Sequence, residues 1–190
     1  MTNTPRFIAT RLLAAATALA ALVAPATSYA ELATGVRAPM FATQGSLGGA
    51  PFAFNLRSSL RRGPVVLYFY PKAFTTGCTL EAHAFAEAAD DFHAAGATLI
   101  GMSADDMASL TRFSKEACRD KFPVAIATPA VIRAYDVDLK KPDGTSTGLT
   151  TRTSYVIARD GRVRMVHSNM DYRDHVRLTL EAVRALSAHH

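Results

Sequence analysis

Apolar positions in this chain come in short runs whose spacing switches between the period of a strand and that of a helix. Residues 64–70, P-V-V-L-Y-F-Y, are apolar on both faces and predict a central buried strand. Residues 79–95 then carry Leu80, Ala84, Phe85, Ala88 and Phe92 near helical spacing, and Gly96 ends the helix they predict. Residues 98–102 (T-L-I-G-M) read as the next strand. Asp105-Asp106 can cap a helix over residues 107–119, with Leu110, Phe113 and Ala117 as its buried stripe. A short strand at 124–127 and a short helix at 129–135 follow, with Pro129 near the helix start.

Upstream, two apolar runs at 40–43 and 51–56 flank Gly45-Ser46-Leu47-Gly48-Gly49 and read as a β-hairpin. Residues 31–37 read as a flexible lead-in, and 57–62 as a short polar turn or helix. Downstream, residues 140–150 are rich in Gly, Pro, Ser and Thr and read as a surface loop. Residues 154–158 and 163–167 form a second hairpin around Asp160-Gly161, a strong turn signal. Residues 174–188 close the chain as a helix with Val176, Leu180, Val183 and Leu186 inward. This order predicts an α/β fold: a mixed sheet flanked by helices, with an N-terminal β-hairpin added.

The first thirty residues differ in kind. Arg6 and Arg11 form a positive start, residues 12–26 an alanine-rich apolar stretch, and Ser28-Tyr29-Ala30 a small-x-small cleavage pattern. They read as a signal peptide that sends the protein to the periplasm. The competing reading is a retained anchor, for which the run is short of the ~20 residues a span needs. Cleavage of thirty residues from 190 leaves 160, residues 31–190, enough for one domain with a real core. Loss of Arg6 and Arg11 takes the formal charge from +5 to +3. That excess, with no aromatic-interleaved basic patch, gives no support for a nucleic-acid partner.

Chemistry concentrates at residues 71–81, P-K-A-F-T-T-G-C-T-L-E. Cys78 falls after the central strand and in the first turn of the following helix, where unpaired N–H groups and the helix dipole favour a thiolate. Thr75 lies three residues earlier, so on a tight turn its hydroxyl can point to the same spot as the sulfur. Pro71 can wall off one side. The plain alternative for Cys78 is a small, inert core residue. Thr75 has its own plain reading, a turn residue; Glu81 one as a first-turn capping carboxylate.

The spacing P-x-x-x-T-x-x-C of Pro71, Thr75 and Cys78 resembles the active-site motif of the peroxiredoxins. The longer string F-Y-P-K…T-x-G-C-T-x-E looks most like their bacterioferritin-comigratory, or Q-type, branch. The likeness continues through Gly101-Met102-Ser103-Ala104-Asp105, Phe122-Pro123, Ala134-Tyr135, Arg152-Thr153-Ser154-Tyr155-Val156-Ile157 and Asp160-Gly161. It implies a thioredoxin-like fold and a thiol-dependent peroxidase. Cys78 would be the peroxidatic cysteine, oxidised to a sulfenic acid by hydrogen peroxide or an organic hydroperoxide. Thr75 would hold the peroxide, Arg152, just ahead of a strand, would look back at the sulfur, and Pro71 would shape the wall. Glu81 resembles the glutamate of the family's C-T-x-E. The resemblance implies no cofactor and no metal, and as partners a peroxide and a thioredoxin-like or other thiol reductant, periplasmic if the protein is exported.

Cys118 is the second thiol, and the pair fits either a structural bridge to Cys78 or a resolving role in which Cys118 attacks the sulfenic acid. His83 stands where many Q-type members carry a second cysteine, and Thr76 replaces the proline of T-P-G-C, which leaves the subtype open. Other chemistries on this fold fit less well. A thiol–disulfide oxidoreductase wants C-x-x-C, but Thr75 stands at the first position. A copper carrier wants C-x-x-x-C, but Ala82 stands at the second, and His167 alone does not replace it. A glutathione-peroxidase-like site wants a tryptophan, which the chain lacks. A periplasmic peroxide sensor or thiol–disulfide exchange protein is the remaining alternative.

Overall fold

The computed structural model describes Met1 and residues 31–188. The signal peptide expected at 1–30 thus lies, apart from Met1, outside the described residues. In chain order the elements are β1 (Ala42–Leu47), β2 (Ala50–Asn55), α1 (Leu56–Leu60), β3 (Val65–Phe69), α2 (Thr76–Ala94), β4 (Thr98–Ser103) and α3 (Met107–Glu116). They continue with β5 (Val124–Ile126), α4 (Pro129–Ala134), β6 (Asp138–Lys140), β7 (Ser146–Thr150), β8 (Thr153–Ile157), β9 (Val163–Ser168) and α5 (His175–Ser187).

Among the described residues the main sheet has seven strands in the order β2-β1-β5-β4-β3-β8-β9. β3 runs parallel to β4, and β4 to β5, while β8 and β1 are antiparallel to their neighbours β3 and β5. All five residues of β3 are buried, as the two-faced apolar run required. Alternation then sorts them. Val66, Tyr68 and Tyr70 face one core layer with Phe85, Phe92, Leu110, Phe113, Leu180 and Val183 from α2, α3 and α5. Val65, Leu67 and Phe69 face the other, with Leu56, Leu60, Val131 and Ile132 from α1 and α4. Helices on both faces of a mixed sheet, behind an N-terminal hairpin, are the α/β architecture the pattern predicted.

Four local expectations are corrected. First, β1 runs on through Gly45-Ser46-Leu47, because Gly48-Gly49, both at positive φ, make the turn alone. Gly45 lies so close to β5 that a Cβ there would meet the Val124 carbonyl at 2.3 Å. Second, residues 31–37 are tied down rather than loose: Gly35 N–H donates to Val163 O at 2.7 Å, and Arg37 bridges Arg162. Third, residues 140–150 are not a plain loop, because β6 and β7 pair across them in a separate antiparallel ladder. Their exposed Ser, Thr and Gly residues lack the apolar alternation that marks a strand.

Fourth, α2 begins at Thr76, and its buried face runs Cys78, Glu81, Ala82, Phe85, Ala86, Ala89 and Phe92. Leu80, expected inside, points outward and is exposed. The phase is set by Cys78 and Glu81, which must face Arg152, the residue before β8, and a hydrophobicity count could not weigh a carboxylate as an inward residue. Gly96 at φ 76° ends the helix as expected.

Phe85 ties this face to the sheet, stacking on Tyr68 with ring centroids 4.3 Å apart. Phe85→Ala is expected to cost roughly 3–5 kcal/mol, and Leu80→Ala on the outer face less than about 0.5 kcal/mol. Urea unfolding of both variants checks the helix phase directly.

Candidate active site

The chain leaves the C-terminal end of β3 at Tyr70 and turns sharply before α2, with Phe74 at φ 64°. Two anchors hold the turn. Thr150 Oγ1 donates to Tyr70 O at 2.7 Å, and the Asp105 carboxylate accepts from Ala73 N–H at 2.7 Å and from Ser103 Oγ at 2.8 Å. Ser103 and Asp105 of the G-x-S-x-D stretch therefore brace the loop that carries Pro71. Pro71 itself is half-buried at the strand exit.

Thr75 is the N-cap of α2 but makes no side-chain capping bond. Its exposed hydroxyl donates to Lys72 O at 2.9 Å. Among the described residues the side chain that donates a hydrogen bond to Cys78 Sγ is that of Arg152, from Nη2 at 3.5 Å. Cys78 sits in the first turn, 1% exposed.

Arg152 is 4% exposed, so its charge needs partners. It has one in each direction. Nη2 faces the sulfur, Nη1 binds Glu81 Oε2, and Nε donates to Met170 O at 3.0 Å. Burial works against the guanidinium charge, and Glu81 and then Cys78 more than restore it. The two readings of Glu81 are thereby decided: its side chain is fully buried against Arg152, which a solvent-facing cap would not be. Burial pushes its carboxyl pKa up, with Arg152 pulling the other way. Breaking such a pair from one side leaves a buried, uncompensated charge, which costs about 3–5 kcal/mol.

Behind the pair lie residues to which the sequence reading gave no role in this site. Ser154 Oγ is 2.8 Å from His175 Nδ1, and His175 Nε2 is 2.9 Å from Asn169 O. His175 Nδ1 is 3.8 Å from Glu81 Oε1, an oxygen with no hydrogen-bond partner. The His167 ring packs edge-on against that of His175, centroids 4.5 Å apart. One signal was available: Ser154 lies two residues beyond Arg152, so strand alternation puts both on one face.

Cys118 is reduced and fully buried, in the same core layer as Cys78. It lies past the end of α3, not within the longer helix expected from the pattern. Arg119 and Asp120 both take positive φ there, so the helix cannot continue. Burial, and then Asp120, push the Cys118 thiol up, so it rests protonated.

This arrangement sets one sulfur against a fixed guanidinium, with a second thiol in the same core layer. The AhpC/TSA family pattern matches residues 34–166. The chain is 33% identical over 151 residues to the chloroplastic peroxiredoxin Q of Suaeda salsa, covering 74% of this chain and 69% of the relative. Its fold is similar to that of the peroxidoxin BcpB of Mycobacterium tuberculosis, with TM-score 0.70 and 30% identity over 80% of this chain and 97% of the other. The bacterioferritin comigratory protein of Xanthomonas campestris aligns with TM-score 0.65 and 28% identity, over 76% and 91% of the two chains.

The buried imidazole makes stability depend on pH. Burial lowers the His175 pKa to about 4, against a bond to Asn169 that raises it, so the folded protein holds the ring neutral where the unfolded chain protonates it. Stability from this residue is present above pH ~6.5 and is lost as pH falls toward 4. Glu81, shifted upward, acts in the opposite sense, so the effect is read as a difference between proteins. Relative to His175→Gln, the wild type is expected to lose roughly 1–2 kcal/mol between pH 7 and pH 5, measured by urea unfolding at the two pH values.

Proposed function

The chain belongs to the AhpC/TSA family, in its Q-type peroxiredoxin branch, and from that membership we propose that Cys78 reduces peroxides beside Arg152. The contact of Arg152 Nη2 with Cys78 Sγ carries this reading. A fixed guanidinium stabilises the thiolate and then the charge that develops on the peroxide oxygens. The thiolate attacks one peroxide oxygen, the S–O bond forms as the O–O bond breaks, and water or an alcohol leaves with a proton. Sulfur is oxidised by two electrons to the sulfenic acid. Thr75 donates its hydroxyl hydrogen to Lys72 O, which leaves its lone pairs free to accept the peroxide O–H. Pro71 closes the strand side of the site.

The substrate is a peroxide and the reductant a thiol. The Xanthomonas campestris protein is described as having alkyl peroxide reduction activity, and we extend organic hydroperoxides to this chain alongside hydrogen peroxide. Catalytic turnover is favoured over the sensing or exchange alternative. Cys118 is the proposed resolving thiol: it attacks the Cys78 sulfenic acid, water leaves, and a disulfide forms for the reductant to open. Both sulfurs start buried in one core layer. Meeting requires the α2 first turn and the turn after α3 to unwind, and the positive-φ pair Arg119 and Asp120 lowers the cost of leaving the folded form. We further propose that residues 1–30 are a cleaved signal peptide, that residues 31–190 form the catalytic domain, and that the enzyme and its reductant are periplasmic.

Cys78→Ser is expected to abolish peroxide consumption, and Arg152→Lys, which cannot reach three partners, to slow it roughly 100-fold or more. Cys118→Ser should react once, stop at the sulfenic acid, over-oxidise with excess peroxide and lose turnover with dithiol reductants. Peptide mass spectrometry after one equivalent of peroxide should find a Cys78–Cys118 bridge in the wild type. Full wild-type turnover by Cys118→Ser would make Cys78 a one-cysteine peroxidase.

Protein recovered from a bacterial periplasm should begin at or within a few residues of Glu31. Its intact mass checks this, and recovery of the uncleaved chain from the cytoplasm would remove the periplasmic assignment.

A further inference from the structure

We infer that His175, on the C-terminal helix and out of contact with the sulfur, is a positioning residue that fixes the direction in which Arg152 presents its guanidinium to Cys78. The inference rests on the peroxidase reading above.

The tautomer follows from the partners. Asn169 O can only accept, so His175 Nε2 carries the hydrogen and donates to it at 2.9 Å. In the neutral ring Nδ1 then carries a lone pair, and Ser154 Oγ–H donates to it at 2.8 Å. The imidazole is fastened at both ends, to β8 and to the segment that follows β9.

That segment encloses Arg152. Asn169 N–H donates to Arg152 O at 3.1 Å, and Met170 O accepts from Arg152 Nε at 3.0 Å. Met170 is 53% exposed and its neighbours are exposed too, so burial does little to hold this turn. The bond from His175 to Asn169 O is what ties it to a buried helix face.

His175 also limits Glu81. Its Nδ1 stands 3.8 Å from Glu81 Oε1, but the Nδ1 lone pair already accepts from Ser154, so the ring offers that oxygen no hydrogen. Glu81 Oε1 has no partner, and the carboxylate makes its hydrogen bond through Oε2, to Arg152 Nη1. Both clamps on the guanidinium, at Nε and at Nη1, thus depend on His175. Nη2 is left to face the sulfur. The charged and titratable groups around the ring are Glu81 on α2, Arg152 ahead of β8, His167 on β9 and Asp174 at the N-terminal cap of α5.

The test compares His175→Phe, which fills the space without hydrogen bonds, with His175→Gln, whose amide can donate to Asn169 O. Two quantities are read: the second-order rate with hydrogen peroxide, by competition with a haem peroxidase, and the pH midpoint of iodoacetamide labelling at Cys78, by peptide mass spectrometry. His175→Phe is expected to slow the peroxide reaction about tenfold or more, as a small misplacement of the cation would, and to raise the labelling midpoint. His175→Gln should recover most of both. A folded His175→Phe protein with wild-type rate and midpoint would overturn the inference, as would a glutamine variant no better than phenylalanine. Should the phenylalanine variant fail to fold, Ser154→Ala frees the ring to turn toward Glu81. The same two changes are expected of it, and unchanged values would overturn the inference. Failure of the wild-type chain itself to consume peroxide would instead overturn the peroxidase reading.

Discussion

A guanidinium sealed from water needs partners for its N–H groups and its charge, and Arg152 finds one for each of its three nitrogens: a carbonyl, a carboxylate and a sulfur. Much of the surrounding structure follows from this requirement. α2 must turn Glu81 inward, which fixes the helix phase and leaves Leu80 outside. β8 must begin one residue after the arginine, so that the side chain enters the core layer shared by α2 and α5. The segment after β9 must curl back until its Met170 carbonyl reaches Nε. A buried pair of this kind adds little net stability compared with apolar packing, but it tolerates few alternative arrangements. Its value here is direction: one nitrogen is left facing one sulfur.

The sheet supplies the frame for that direction. β3 is central and covered on both faces, so the end from which Cys78 departs is held by two core layers. The Asp105 carboxylate and the Thr150 hydroxyl then fix the short turn between strand and helix. The contrast with the second thiol is physical. Cys78 lies at a helix start beside the Arg152 guanidinium; Cys118 lies in an apolar layer, where burial and then Asp120 push its thiol pKa up. The two positive-φ residues after Cys118, Arg119 and Asp120, keep α3 from running on past it.

The sequence by itself determined whatever depends on neighbours a few positions away. The both-faces apolar run predicted a buried central strand, Gly96 the end of α2, the Asp105-Asp106 pair the cap of α3, and Asp160-Gly161 the second hairpin turn. Cys78 in the first turn of a helix was legible for the same reason, since strand, turn and helix are local patterns. Resemblance added Arg152, but no spacing could place it, because it lies 74 residues from the cysteine it contacts. Tertiary structure alone decided which reading of Glu81 holds, because a first-turn carboxylate looks the same in sequence whether it caps a helix in water or is buried against a cation. It also decided that the Thr75 hydroxyl turns to Lys72, that β6 and β7 pair without an apolar pattern, and that His175 stands behind the site. Each of these rests on distance and burial across the fold, and electrostatic partners are chosen through space rather than along the chain.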